Sequence, residues 1–179
     1  FIDRNSQKIS WTRALERDAE KNKVHKFSDG NFSIALYRPF FKQVLYFSRA
    51  FNEMVYQIPK LFPNPNLKNL VICVSAHFKD GSVLITDKIP DLHFNGDTQA
   101  FPLFFYEEKS VNQKGLFDVD DTQKFVRRDA ISDFIFDRAM HQYGKSVTKE
   151  DIFYYVYGFL HSKEYRETFA NDLKKMLPR

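Results

Sequence analysis

The run Leu70–Ala76 (LVICVSA) constrains the fold of this chain more than any other segment. Only Ser75 interrupts its apolar character, and β-branched residues are frequent in it. A short apolar run of this kind, followed by the turn residues 79–82 (KDGS), is typical of a strand that is buried on both faces. The sequence therefore predicts a sheet in which this segment is a central strand.

Further strand-like segments lie on both sides of this run in the sequence. Between the first two of these segments, Phe32–Tyr37 and Val44–Phe47, lies the basic and aromatic segment RPFFKQ. In it, Pro39 fixes its own φ and favours an extended Arg38. A turn with Gly96 separates the last two, and Pro102 indicates an edge strand. The predicted strands are Phe32–Tyr37, Val44–Phe47, Val83–Thr86, Leu92–Phe94 and Phe101–Tyr106.

Helical periodicity appears at both ends of the chain. Ser10 is a candidate N-cap for a helix through Lys23, and a short helix is predicted for Ala50–Ile58. After residue 128, three helices are expected, at Asp129–Tyr143, from Thr148 to about His161, and from Ser162 to about Met176. We therefore predict an α+β fold, with a mixed, largely antiparallel sheet region at about 27–106 and a C-terminal cluster of three helices.

The second of these C-terminal helices contains five aromatic residues within Phe153–Phe159. Such rings could stack on bases or pack inside the fold. A stripe with helical spacing favours packing. The stripe consists of Ile152, Tyr155, Val156, Phe159 and Leu160. We expect it to face the core, with at most Tyr154 or Tyr157 left for a partner.

Length and composition indicate a single domain over residues 1–179, with a linker-like loop at 107–128 between the sheet region and a helical region at 129–177. The single cysteine, Cys73, excludes a disulfide framework and favours a cytoplasmic setting. The chain begins with Phe1 and reads as a piece of a longer protein. No apolar run approaches the length of a membrane span.

The net charge of +4 is unevenly distributed along the chain. Residues 1–50 carry +5, residues 51–121 carry −4, and residues 122–179 carry +3. This distribution suits a protein that meets a polyanion with part of its surface, although ordinary surface variation explains it equally well.

Motifs for catalysis and for metal binding are missing from the sequence. There is no phosphate-binding GxxxxGK[ST] loop, no GxGxxG turn, no CxxC pair and no HxxxH pair. Asp87 and Asp91 are separated by Pro90, which weakens the case for paired-carboxylate catalysis. The residues alone indicate a binding module without a catalytic residue, a metal site or a cofactor of its own.

Several segments carry a resemblance to a known family. The C-terminal stretch TKEDIFYYVYGFLHSKEYRETFANDLKKMLPR resembles the end of the large single-polypeptide type ISP restriction-modification proteins, and it is similar to related adenine-specific DNA methyltransferases. LYRPFFKQVLYF, VSAHFKDGSVLITDKIPDLHF and GDTQAFPLFFYE match in the same order, so that the resemblance covers about residues 30–179.

The resemblance implies that this chain is the target recognition domain of such a protein. Its parent would contain a nuclease, an ATP-driven translocase and an N6-adenine methyltransferase, with S-adenosylmethionine, ATP and Mg as cofactors. The implied partners are double-stranded DNA and the methyltransferase domain of the same polypeptide. The alternative is a structural or docking module that braces the methyltransferase and does not bind DNA.

Lys and Arg neutralise phosphates, whereas Arg, Lys, Asn and Gln also read base edges. Polar residues suited to these contacts cluster at the RPFFKQ corner, which is preceded by His25 and Lys26, and at the turn around Gly96. A third group near the central strands consists of His77, Lys79 and Lys88. Two alternatives remain open: Arg38 pairs with a carboxylate, and Asn95 and Thr98 only shape their turn. The candidate DNA contacts are Lys26, Arg38, Lys42, Gln43, Arg49, Asn52, Lys79, Asn95, Thr98 and Gln99.

Overall fold

A computed structural model describes residues 3–5, 7–8, 11–75, 81–109 and 124–175 of the chain. Helices and short strands are interleaved along its N-terminal two thirds, and helices occupy its C-terminal part. The elements are α1 Arg13–Glu20, β1 Phe32–Arg38, β2 Phe41–Tyr46, α2 Ile58–Leu61, β3 Val71–Ser75, β4 Val83–Thr86, β5 Ile89–Pro90, β6 Thr98–Pro102, β7 Phe104–Glu108, β8 Phe125–Asp129, α3 Asp133–Tyr143, α4 Lys149–His161, α5 Lys163–Thr168 and α6 Ala170–Leu173.

The described strands form three small sheets, with the orders β2-β1-β5, β4-β3-β6 and β7-β8. The pairing of β1 with β5 is parallel, and the other four pairings are antiparallel. The predicted α+β class with a mixed, largely antiparallel sheet region is therefore confirmed.

β3 is the central strand that the sequence predicts. Its side chains alternate between two cores, because successive residues of a strand point to opposite faces. Val71 and Cys73 join a cluster that includes β1 and α2. Ile72 and Val74 join a second cluster that includes α4 and α6. This strand therefore holds the helical region and the β1 sheet to one scaffold.

Burial also decides the chemistry of the single cysteine. Cys73 has no exposed surface, and desolvation raises the pKa of its thiol to about 12. A thiolate is required for nucleophilic attack and for metal binding. Cys73 therefore serves packing.

The side chain of Asn69 connects three segments at the start of β3. Its Nδ2 donates to the carbonyl oxygens of Leu61 (3.0 Å) and Phe104 (2.8 Å). Its Oδ1 accepts from the N–H groups of Leu70 (2.8 Å) and Phe104 (3.1 Å). A buried amide has two donor and two acceptor positions, and all four are used here.

The predicted strand Phe101–Tyr106 is two strands, β6 and β7, which are separated at Leu103. The buried Leu103 donates its N–H to the Leu70 carbonyl (2.8 Å), and its carbonyl accepts from the N–H of Ala130 (3.0 Å). These bonds turn the chain from the β3 sheet into the β7-β8 sheet. As Pro102 indicated, β6 is an edge strand.

Strands occupy both ends of the segment 107–128, which was predicted to be a linker-like loop. Glu107 and Glu108 belong to β7, and Phe125–Asp129 forms β8. The sequence FVRRD lacks a clear apolar alternation, which explains why periodicity did not reveal this strand. Residues 110–123 lie outside the described part of the chain.

The helix signals in the C-terminal part are confirmed at two positions. Thr148 and Asp151 form a capping box, in which Thr148 Oγ1 accepts from the N–H of Asp151 (3.1 Å) and Asp151 Oδ2 accepts from the N–H of Thr148 (2.9 Å). Gly144 ends α3 with a φ of 99°, which favours glycine. The helix that starts at Thr148 reaches His161, as expected.

Three predicted helices have different bounds. α1 begins at Arg13 and is capped by Thr12, whereas Ser10 lies outside the described residues. α3 begins at Asp133 and not at Asp129, because β8 occupies the preceding residues. The last predicted helix is divided at Phe169 into α5 and α6.

Two predicted elements are wrong. The helix expected at Ala50–Ile58 is a series of turns with positive φ at Met54 and Tyr56, and α2 begins only at Ile58. The strand expected at Leu92–Phe94 is a turn that follows β5. Short apolar runs carry too few periods to separate these possibilities.

The buried face of α4 also differs from the predicted stripe. Phe153 and Leu160 are buried and Tyr157 packs against the same cluster, whereas Tyr155 is 62% exposed and Val156 is 43% exposed. From Ile152 to Leu160 the sequence is apolar at every position except Gly158. Spacing alone therefore does not identify which face meets the core of this domain.

Replacement of Asn69 by alanine is expected to lower the free energy of unfolding by about 3 kcal/mol. Buried backbone groups of Leu61 and Phe104 lose their partners, and each unsatisfied group costs on the order of 1–3 kcal/mol. Urea denaturation measures the change. Asn66→Ala is the matched control, because Asn66 is exposed, and a change within about 0.5 kcal/mol is expected there. Equal effects of the two substitutions would contradict this role of Asn69.

Candidate nucleic-acid interface

The β1–β2 hairpin presents a row of exposed side chains along its second strand. β2 is an edge strand, since β1 lies between β2 and β5. Its first four residues, Phe41–Val44, are all exposed. Because successive residues alternate between the two faces, both faces of β2 are open near the tip of the hairpin. Lys42 and Gln43, expected in a corner, therefore lie on a strand.

Arg38 anchors the base of the tip. Its Nη1 donates to the His93 carbonyl (2.7 Å) and lies 3.8 Å from a carboxylate oxygen of Asp91. Its guanidinium also lies 4.4 Å from the centre of the Tyr37 ring. The alternative of pairing with a carboxylate is thus realised, while 48% of the side chain stays exposed.

Three other candidate cations have no such partner. Lys26, Lys42 and Arg49 are exposed, and none of them forms an ion pair with another described residue. Gln43 is exposed on β2, opposite Ala35 of β1. These four side chains retain free donors that face solvent.

An aromatic cluster lies at the other end of the hairpin. The Phe27 ring stacks on the Tyr46 ring with centroids 5.2 Å apart, and Phe32 meets both rings edge to face. Phe51 meets Tyr46 edge to face at 5.6 Å. Sequence reasoning looked for an aromatic surface in α4 and missed this one. The available signal was the aromatic residue at the start of β1 and at the end of β2, with a phenylalanine five residues beyond each.

Two polar candidates near this cluster make polar contacts within the domain. Asn52 accepts a hydrogen bond from the N–H of Ser48 through Oδ1 (2.7 Å). His25, which precedes β1, lies 2.7 Å from a carboxylate oxygen of Asp18 and edge to face with Phe51. Both side chains shape the local chain.

The turn around Gly96 likewise uses its own polar groups. Asn95 Nδ2 donates to the carbonyls of Cys73 (3.0 Å) and Ser82 (3.2 Å). Thr98 Oγ1 donates to Asn95 Oδ1 (2.9 Å) and accepts from its N–H (3.2 Å). Asn95 and Thr98 therefore have the turn-shaping role that was the alternative for them. Gln99 is exposed on the edge strand β6.

Only Lys88 of the third predicted group lies within the described residues. Lys79 and His77 lie outside the described residues. Lys88 pairs with Asp87 (2.7 Å), and Asp91 lies 3.8 Å from Arg38, so each of these carboxylates has a cation beside it.

A second surface lies between α3 and α4, and its chemistry differs from that of the hairpin. No residue of α3 is buried, although Ile131 before it packs on the second core. A cleft of about 740 Å³ separates the two helices. Its apolar and aromatic lining residues are Ile135, Ala139, Tyr143, Val147, Ile152, Tyr155 and Val156, and Arg138, His141, Gln142 and Asp151 complete the lining.

Within the described ranges, no three His, Cys, Asp or Glu side chains are arranged to hold a metal ion. None of the described helices has the length and apolar character of a membrane span.

Comparisons with known proteins agree with this geometry. Curated proteins yield no match. Three solved structures are similar to the chain: the ATP-dependent Type ISP restriction-modification enzyme LlaBIII bound to DNA (28% identity, TM-score 0.77), the DrdV–DNA complex (33%, 0.74), and a nuclease-deletion mutant of the Type ISP enzyme LlaGI in complex with a DNA substrate mimic (35%, 0.72).

These similarities extend over nearly the whole chain. They cover 96%, 94% and 99% of it, but only 11%, 15% and 12% of the respective relatives. The sequence also matches the Type ISP C-terminal specificity domain over residues 1–179, and the chain therefore belongs to that family.

Proposed function

We propose that this domain recognises duplex DNA through the β1–β2 hairpin and gives sequence specificity to an attached N6-adenine DNA methyltransferase or ATP-dependent restriction enzyme. Membership of the specificity-domain family and likeness to three enzymes in DNA complexes support this function. The observation that carries it is the exposed side chains of Lys42 and Gln43 on an edge hairpin, with the unpaired cations Lys26 and Arg49 beside it in the chain.

A two-stranded ribbon has the width that fits the major groove. We assign phosphate contacts to Lys26, Lys42 and Arg49, because cations that are already exposed and unpaired give up no ion pair when they bind a phosphate. Gln43 lies beside Lys42 and can offer a donor and an acceptor to a base edge. Gln99 on β6 is a further candidate for base contact, and Lys79 stays a predicted contact.

A second function is docking to the rest of the polypeptide. The three relatives place a domain like this one in chains of which it forms between 11% and 15%. Seven of the eleven residues that line the α3–α4 cleft are apolar or aromatic, and Arg138 and Asp151 are its charged ones, a composition that suits the core of a protein interface, where charged residues are few. We propose the methyltransferase domain of the same polypeptide as its partner, so that both functions coexist in one module.

We expect the cofactors of the proposed parent, S-adenosylmethionine, ATP and Mg, to bind in its other domains. Mg is held mainly by carboxylate and phosphate oxygens, and within the described residues no three His, Cys, Asp or Glu side chains are grouped to hold a metal ion. A cytoplasmic setting is part of this proposal, because the domain would act where it meets DNA.

The double substitution Lys42→Ala and Arg49→Ala is expected to flatten the salt dependence of DNA binding. Each lost phosphate contact reduces the slope of log K against log salt concentration by about 0.9 on a duplex, so a fall of about 2 is expected. Titration of a labelled duplex at several salt concentrations measures this slope. Lys145→Ala is the matched control, since Lys145 is exposed on the α3–α4 connection without an ion pair to a described residue. An unchanged slope in the double variant would contradict the assignment.

Exchange of the corresponding domain of LlaGI for this chain is expected to change the DNA sequence that the hybrid methylates. Specificity resides in the groups that meet base edges, and these would be transferred with the domain. Sequencing of methylated adenines in plasmid DNA gives the result. Methylation at the original sites of the recipient would argue that the domain only supports the enzyme.

Charged substitutions in the α3–α4 cleft are expected to weaken docking. When the domain and the remainder of the polypeptide are produced separately and mixed, Ile135→Asp or Val156→Asp should raise the dissociation constant at least about tenfold, because a charge is desolvated at an apolar contact. Calorimetry measures the constant. Tyr154→Asp is the control on the same helix, because Tyr154 is exposed and does not line the cleft. Wild-type affinity in both cleft variants would exclude this surface.

A further inference from the structure

We infer that Phe40, at the tip of the β1–β2 hairpin, acts as a wedge that inserts between stacked bases of the bound duplex. This inference rests on the proposed function, in which the hairpin meets DNA. Phe40 is 95% exposed, the largest exposed fraction among the large hydrophobic side chains described. Its ring makes no ring or cation contact with another described residue, so packing within the domain does not account for a phenyl group at this position.

The strand register and Pro39 restrict the backbone that carries the Phe40 ring. The strand register pairs Leu36 with Lys42 and Arg38 with Phe41, which leaves Pro39 and Phe40 as a two-residue tip. Pro39 restricts its own φ. A tip of this kind presents the ring in a limited set of orientations before any ligand is bound.

The bulge beside the tip adds further support. Tyr37 is the extra residue in the register between Leu36 and Arg38, and its ring meets the Phe41 ring edge to face at 6.3 Å. Arg38 ties this bulge to the chain at His93 through its 2.7 Å hydrogen bond. Because these contacts hold the tip, insertion has to immobilise little beyond the two side-chain torsions of Phe40.

Charge distinguishes a nucleic acid from a protein as the partner of this tip. Arg38 and Lys42 flank the ring on the two strands, and Lys42 has no ion pair with a described residue. Phe40 and Phe41 both lie between these cations in the sequence, but Phe41 contacts the Tyr37 ring, which leaves Phe40 as the ring that can enter a base stack between two phosphate backbones. The lining of the α3–α4 cleft, by contrast, is mainly apolar and aromatic, and its one Arg, Arg138, is accompanied by Asp151.

Some DNA-binding proteins insert an apolar side chain between two adjacent base pairs. Phe, Leu, Ile, Met or Pro placed between adjacent base pairs partly unstacks them and bends the duplex. Parting of two base pairs also unwinds the helix locally. A wedge at the tip would make the bound complex sensitive to how easily a base step opens, and flexible pyrimidine–purine steps would be favoured at that position.

The test measures unwinding, which does not require knowledge of the recognised sequence. The protein is bound at saturating concentration, without ATP, to a relaxed closed circular plasmid, and topoisomerase I then relaxes the complex. Removal of the protein should leave a linking number lower than that of the plasmid alone. Phe40→Ala should lose at least about three quarters of this shift, while Phe40→Leu should keep most of it.

Binding of the same plasmid is measured in parallel by filter retention. The dissociation constant of Phe40→Ala should rise less than tenfold, because the cations remain. Phe134→Ala is the matched control, as Phe134 is also an exposed phenylalanine (66%) but lies on α3. An unchanged melting temperature of Phe40→Ala confirms that the substitution leaves the fold intact.

The outcomes separate the wedge from the function on which it rests. A normal linking-number shift with Phe40→Ala overturns the wedge and leaves DNA binding intact. Binding by the wild-type protein without any shift does the same. Absence of binding by the wild-type protein overturns the proposed function, and the wedge with it.

Discussion

The four hydrogen bonds of the Asn69 amide fix the position of three segments, and much of the architecture depends on them. They connect the end of α2, the start of β3 and the start of β7 without an unsatisfied buried group at that side chain. The hydroxyl of Tyr106 adds a bond to the carbonyl of Lys68 next to it. Since β3 contributes side chains to both hydrophobic clusters, a fixed β3 also fixes what packs on its two faces.

Each of the two candidate surfaces lies beyond one of the two hydrophobic clusters that pack on β3. The hairpin extends beyond the first cluster, which holds Ala35 and Leu36 of β1, and the exposed half of β2 carries one cation, Lys42, and one amide, Gln43. The cleft lies beyond the second cluster, which holds Phe153 and Leu160 of α4, and it is lined by apolar groups. No residue is shared between them. One surface suits a polyanion and the other suits a protein, so that recognition and attachment need not compete for the same side chains.

Features that are set by neighbouring residues could be predicted from the sequence. Features that depend on which other part of the fold a side chain contacts could not. The burial of β3, the capping box of α4 and the glycine stop of α3 are set by neighbouring residues and were predicted. The buried face of α4 was not, because the helix is apolar almost all round and periodicity cannot tell an internal core from an external one. Asn95 shows the same limit for polar groups. Its type suits base recognition, but two backbone carbonyls that lie far from it in sequence use its amide.

An unpaired strand edge offers its backbone N–H and C=O groups to any extended chain that approaches it. β2 has such an edge, and natural sheets discourage addition there by keeping the strand short and by placing lysine on it. β2 has only six residues, and Lys42 is the second of them. The lysine that we assign to a phosphate therefore also guards the domain against edge-to-edge self-association. Selection for solubility alone would retain a cation at this position, even in a relative whose hairpin had turned to another ligand.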